Sequence, residues 1–176
     1  MRIIAGILGG RTFDSPHSQR THPMSDKIRG ALFNTLGDIE GLIVLDAFAG
    51  SGAIGFEAMS RGAQSVVAVE QDRVAQHAIE ENIRALQLQD SIKLSKVSAS
   101  VWLQTNPDVT FDVVVLDPPY DDVQLGLVES LTRAVAPDGI LVISWPGEQE
   151  PPVLKGLELI KRRTYGDAQL LFYSPE

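Results

Sequence analysis

The 176-residue chain has the length of one ordinary domain, contains no cysteine and carries a formal net charge of −8. Such a length buries a core without disulfides or structural metal, and the cysteine count excludes disulfides, thiolate metal sites and attack by a thiolate. No apolar run approaches the roughly 20 residues that span a bilayer, and the start, Met1 to Ala5, has no signal-peptide layout, so a cytoplasmic protein with no membrane partner is expected.

The charge is unevenly spread. Residues 1–30 carry Arg2, Arg11, Arg20, Lys27 and Arg29 against Asp14 and Asp26, a net of +3, which leaves −11 on the rest. Residues 1–24 therefore read as a basic arm or hairpin able to meet RNA, and residues 25–176 as an acidic body able to bind a small molecule, together one domain. A short solvated face would carry the same charges.

In chain order, a helix is expected at Ser25 to Leu36, capped by Ser25 or Asp26 and stopped by Gly37. Strands at Leu42–Leu45, Ser65–Val69, Ile92–Leu94, Phe111–Leu116 and Gly139–Ser144 then alternate with helices at Ala53–Ser60, Asp72–Leu86, Ser98–Gln104 and Val123–Val135. Trp145 to Pro152 reads as a loop, and Leu157–Tyr165 with Ala168–Tyr173 as a hairpin around Gly166-Asp167. This rhythm predicts an α/β fold, a Rossmann-like, doubly wound, mostly parallel sheet of seven strands with an antiparallel edge.

The first strand runs into Asp46-Ala47-Phe48-Ala49-Gly50-Ser51-Gly52-Ala53-Ile54-Gly55, a literal G-x-G-x-x-G. Glycines of this spacing let a backbone approach a pyrophosphate at a helix N-terminus, and an ordinary tight turn would also use them. Asp46 separates the cases. A carboxylate beside the loop repels a diphosphate and favours a cationic nucleoside such as S-adenosylmethionine, with its amine and sulfonium. Glu70, followed by Gln71, ends the second strand where an acid accepts hydrogen bonds from both ribose hydroxyls. After the third strand, Ser98 and Ala99 occupy the turn where an adenine would lie, although Ser98 also suits a plain helix cap.

The fourth strand delivers Asp117-Pro118-Pro119-Tyr120. In a doubly wound sheet that strand lies beside the first, so the two loops converge at the switch point. The tetrapeptide suits methyl transfer to an exocyclic amine, whose lone pair is spread into its ring. Asp117 can accept one N–H and the Pro118 carbonyl another, Pro119 stiffens the turn, and Tyr120 offers a ring for the extruded base. Without cysteine, covalent methylation at a pyrimidine C5 is excluded, and His17, His22 and His77 lack metal-ligand spacing, so no metal is expected.

With Met1-Arg2-Ile3-Ile4-Ala5-Gly6, Gly10-Arg11, His22-Pro23-Met24-Ser25-Asp26-Lys27-Ile28-Arg29, Ala31-Leu32-Phe33-Asn34 and Tyr165-Gly166 added to these loops, nearly the whole chain resembles the RsmD-type 16S ribosomal RNA guanine-N2 methyltransferases. The resemblance implies a bacterial class I methyltransferase acting on N2 of a guanine in the helix 31 loop of an assembled or nearly assembled small subunit; a monomer is expected. It implies target-base roles for Asp117, Pro118 and Tyr120 and a cofactor role for Asp46, Ala49, Gly50, Gly52 and Glu70. Arg11, Ser25, Lys27 and Arg29 are implied to lie near RNA or the cofactor's methionine end. The chain departs from the family's usual pattern at Gly9, His22, Gly30 and Ser98. The rivals are an amine methyltransferase acting on DNA or another RNA, a non-catalytic RNA-binding assembly factor, and, weakest, a dehydrogenase.

Overall fold

The computed structural model describes residues 1–17 and 23–176, so Arg20 and His22 lie outside the described residues. Helix α1 (Asp26–Leu36) begins where Ser25 caps it, its side chain accepting the Ile28 N–H at 3.2 Å. It ends at Gly37, whose φ of 78° turns the chain while its N–H donates to the Phe33 carbonyl. Then follow β1 (Ile43–Asp46), α2 (Ala53–Ser60), β2 (Ser65–Val69), α3 (Arg73–Ala85), β3 (Ile92–Ser95), α4 (Ala99–Thr105), β4 (Phe111–Leu116), α5 (Leu125–Leu131), β5 (Val135–Pro146), β6 (Leu157–Tyr165) and β7 (Ala168–Pro175).

The seven strands form one sheet in the order β3-β2-β1-β4-β5-β7-β6, parallel through β5 and antiparallel at β5–β7 and β7–β6. Strand alternation sorts the apolar residues into two layers. Val44, Val113, Val142 and Phe172 pack with Phe33, Phe56 and Ile79 under α1, α2 and α3. Leu45, Val114, Leu141 and Tyr173 pack with Trp102, Leu103 and Leu131 under α4 and α5. Among the described residues no helix is long and apolar enough to cross a membrane.

Two elements differ from expectation. The helix expected over Val123–Val135 spans only Leu125–Leu131, with a 3-10 turn at Thr132–Ala134, because Gln124 has a φ of 51° that no α-helix contains. Val135 is already in β5 and pairs with Phe111. The next pair is Val113 with Ile140, so residues 136–139 bulge out of the register. A Cβ on Gly139 would stand 2.9 Å from the Phe111 carbonyl oxygen, so only glycine closes that bulge without a shift.

The N-terminal segment turns back on itself, with Arg2 bridged to Thr12, and is built into the body. Ile3 and Phe13 join the core, Phe13 meeting Phe56 edge-on at 5.0 Å. The fully buried Glu57 of α2 accepts the Ile4 N–H at 2.8 Å, the Ala5 N–H at 3.1 Å and the Arg61 Nε–H at 2.9 Å. Arg29 is a correction to the expected RNA contacts. It is 0% exposed, donates to the Arg2 carbonyl and to Asp26, and lies 3.6 Å from Glu57, so no phosphate can reach it. Its charge is held inside because a buried carboxylate faces it.

Candidate active site

β1 and β4 are parallel neighbours, Asp46 level with Val115, so the loops leaving their carboxyl ends emerge side by side. They open into a cleft of about 1160 Å³. Phe48, Ala49, Gly50 and Ser51 line it from the first loop, Glu70 and Gln71 from the end of β2, and Ser98 and Ala99 from the end of β3. Asp117, Pro118, Pro119 and Tyr120 line it from β4. Asp46 and Gly52 are not on its surface; Asp46 lies beneath the loop, fully buried.

The glycine loop has the shape its spacing predicts. Gly50 and Gly52 hold φ of 55° and 81°, and a Cβ on Gly52 would come within 2.9 Å of the Phe56 ring. Glu70 ties the loop to β2, one oxygen accepting the Gly50 N–H at 2.7 Å and the other the Asp72 N–H at 2.8 Å. Each oxygen has a second lone pair, which leaves the carboxylate able to accept ribose hydroxyls as well. Burial raises the Glu70 pKa above the usual carboxylate range.

Asp46 is electrostatically the most unusual group. Neither of its oxygens completes a hydrogen bond among the described residues. Desolvation first, then the charges of Asp117 and Glu70, push its pKa up to about 8, with only the Phe48 backbone N–H opposing. Three acids at one cleft, with no salt-bridge partner among the described residues, fit a positively charged ligand and disfavour a phosphate.

Asp117 is half-buried, and desolvation lifts its pKa to about 6, with the Ser144 hydroxyl drawing it back. The Tyr120 hydroxyl lies 2.7 Å from the same Ser144 oxygen, while the residue as a whole is 39% exposed. Ser144, nearly buried on β5, thus stands between two members of the tetrapeptide, and nothing in its apolar strand marked it. The sequence reading also missed the wall formed by Pro23, Met24 and Ile28 at the start of α1. Ser98 caps α4, its oxygen accepting the Val101 N–H at 3.2 Å, and still faces the cleft.

The arm residues are less concentrated. Arg2 is exposed, 3.4 Å from Asp26, and Lys27 is exposed on α1. Arg11 donates to the Ala85 carbonyl at the last residue of α3, whereas Asp72 at the other end of that helix lines the cleft. A 13-residue helix spans roughly 20 Å, so Arg11 lies that far from the Asp72 end of α3.

The family model described as "Conserved hypothetical protein 95" matches residues 1–174. A Haemophilus influenzae protein named ribosomal RNA small subunit methyltransferase D is 36% identical over 68% of this chain and 64% of its own. The Escherichia coli protein of the same name is 32% identical over 80% of this chain and 69% of its own. The solved structure of Escherichia coli yhhF superposes with a TM-score of 0.89 at 26% identity, covering 100% of this chain and 98% of that one. With a class I methyltransferase fold, a family match over almost its whole length and these relatives, the chain belongs to the RsmD family of methyltransferases.

Proposed function

We propose that this protein transfers a methyl group from S-adenosylmethionine to the exocyclic N2 amine of a guanine in 16S ribosomal RNA, within an assembled or nearly assembled small subunit. It acts as a cytoplasmic monomer. The observation that carries the reading is one cleft lined by Asp117, Pro118, Pro119 and Tyr120, with the buried Asp46, whose oxygens complete no hydrogen bond among the described residues, beneath its glycine loop. The relatives' names supply ribosomal RNA as the substrate class.

Bound S-adenosylmethionine supplies an electrophilic methyl group on a sulfonium. The chain's own residues do the positioning. Glu70 and the ends of β2 and β3 fit ribose and adenine, and the negative field of Asp46 suits the cationic end. Asp117, ionised above about pH 6, accepts one amine N–H. The Pro118 carbonyl, which has no donor among the described residues, accepts the other. Two acceptors on fixed backbone pull the nitrogen toward tetrahedral geometry and turn its lone pair toward the methyl group. Tyr120, held by Ser144, offers its ring to the base. Asp117 is also placed to take the proton that the methylated amine sheds.

The test compares incorporation of labelled methyl groups into small subunits, naked 16S RNA and duplex DNA, followed by mass mapping of the modified base. Label in guanine N2 of 16S RNA is expected. Label confined to DNA overturns the assignment, and RNA affinity without S-adenosylmethionine binding favours a non-catalytic assembly factor.

A further inference from the structure

The net charge of the body conceals a cationic edge. Lys161, Arg162 and Arg163 are consecutive and exposed on β6, the outermost strand, which pairs only with β7. None of the three has an acidic partner within salt-bridge distance among the described residues; Arg162 donates to the neutral Gln169. In a chain of net charge −8 this is an uncompensated positive ridge.

Strand register fixes where the ridge lies. Arg163 is level with Leu170 of β7, Leu170 with Ser144 of β5, and Ser144 holds the Tyr120 hydroxyl. Two strand spacings separate Arg163 from Ser144, about 10 Å across the sheet. The turn joining β6 to β7 emerges at the cleft end, where the Gly147 N–H donates to the Asp167 carbonyl. Arg11, by contrast, occupies the remote end of α3.

We propose that β6 is an RNA-docking surface of the body, with Lys161 and Arg163 engaging phosphates that flank the target nucleotide while its base enters the cleft at Tyr120. Lys161 and Arg163 lie on one face of the sheet, that of Leu170 and Phe172, under which α1 packs. Charge favours RNA over an added protein strand as the occupant. Three cations in a row and a register shift between Leu159 and Lys161 hinder backbone pairing along this edge, while a phosphate chain needs only the side chains.

The inference rests on the proposed RNA substrate, and its test separates the two. Lys161→Gln/Arg163→Gln and wild type are compared for binding to naked 16S RNA and to small subunits at about 50 and about 200 mM salt, with S-adenosylmethionine affinity as a folding and site control. Loss of two phosphate contacts flattens the salt dependence, so the affinity gap between the proteins should narrow about tenfold across that range. Methyl transfer should show a raised KM for RNA with little change in kcat. Identical salt slopes while wild type methylates RNA overturn the inference alone. A defect on subunits but not on naked RNA also overturns it, since that pattern marks a protein partner on the strand edge. Absence of methyl transfer by wild type to either RNA sinks the underlying function instead.

Discussion

Replacing Asp46 by Asn keeps shape and removes a carboxyl whose ionisation the fold opposes. The wild-type carboxyl has its pKa raised from 3.8 to about 8, so between those limits the folded state binds more protons at this site than the unfolded state does. Its contribution to stability is complete below about pH 4 and is lost as pH rises toward 8. At pH 7, about three pH units above the unfolded-state value, this is an order-of-magnitude cost of about 4 kcal/mol that Asn escapes. Asp46→Asn is therefore expected to be the more stable protein in the absence of cofactor at pH 7, by roughly 10 °C in Tm for a domain of this size. Denaturant titration of both proteins at pH 7 and pH 4.5 measures the gap, which should shrink at the lower pH. S-adenosylmethionine binding should move oppositely. Its cation requires ionised Asp46, so wild-type affinity should rise nearly tenfold per pH unit toward pH 8, while the variant binds weakly and without that slope. A variant no more stable than wild type at pH 7, or a gap that persists at pH 4.5, would refute the account of Asp46 as an uncompensated charge kept for a cationic ligand.

Asp117→Ala should abolish methyl transfer while leaving S-adenosylmethionine affinity nearly intact by calorimetry; unchanged turnover would remove Asp117 from the mechanism. Because Asp117 must be ionised to accept the amine, kcat should fall on the acid side of about pH 6. Ser144→Ala withdraws the hydroxyl that lowers the Asp117 pKa, so the acid limb of the pH–rate profile should move upward; a stationary limb would show that Ser144 does not act on Asp117. Glu57→Ala leaves buried Arg29 without its carboxylate and frees the Ile4 and Ala5 N–H groups, and should cost about 3 to 5 kcal/mol in denaturant unfolding; a loss below 1 kcal/mol would mean that water or rearrangement compensates.

The strands and most helices were legible because each carries its own signal. Ser65–Val69 and Phe111–Leu116 are short β-branched runs between turn residues, and Ala53–Ser60 begins directly after the glycine loop. The helix after the tetrapeptide was overextended because apolar periodicity continues through Val135, whereas pairing of Val135 with Phe111 draws that residue into the sheet. Tertiary competition of this kind leaves no local mark.

At the site, the sequence alone supplied the residue types on which the proposed chemistry rests. Asp46 with its glycines, Glu70, and the Asp117 to Tyr120 tetrapeptide are contiguous stretches whose residue types restrict what they can bind. Only the tertiary structure decided the environment of each charge. It placed Asp46 beneath the loop with no completed hydrogen bond among the described residues, set Ser144 between Asp117 and Tyr120, and buried Arg29 against Glu57. It also carried Arg11 to the far end of α3 while bringing the β6 cations beside the cleft. A linear sequence gives the sign of a side chain; exposure, partners and distance follow from which distant segments pack around it, and those decide whether an arginine meets RNA or a buried glutamate.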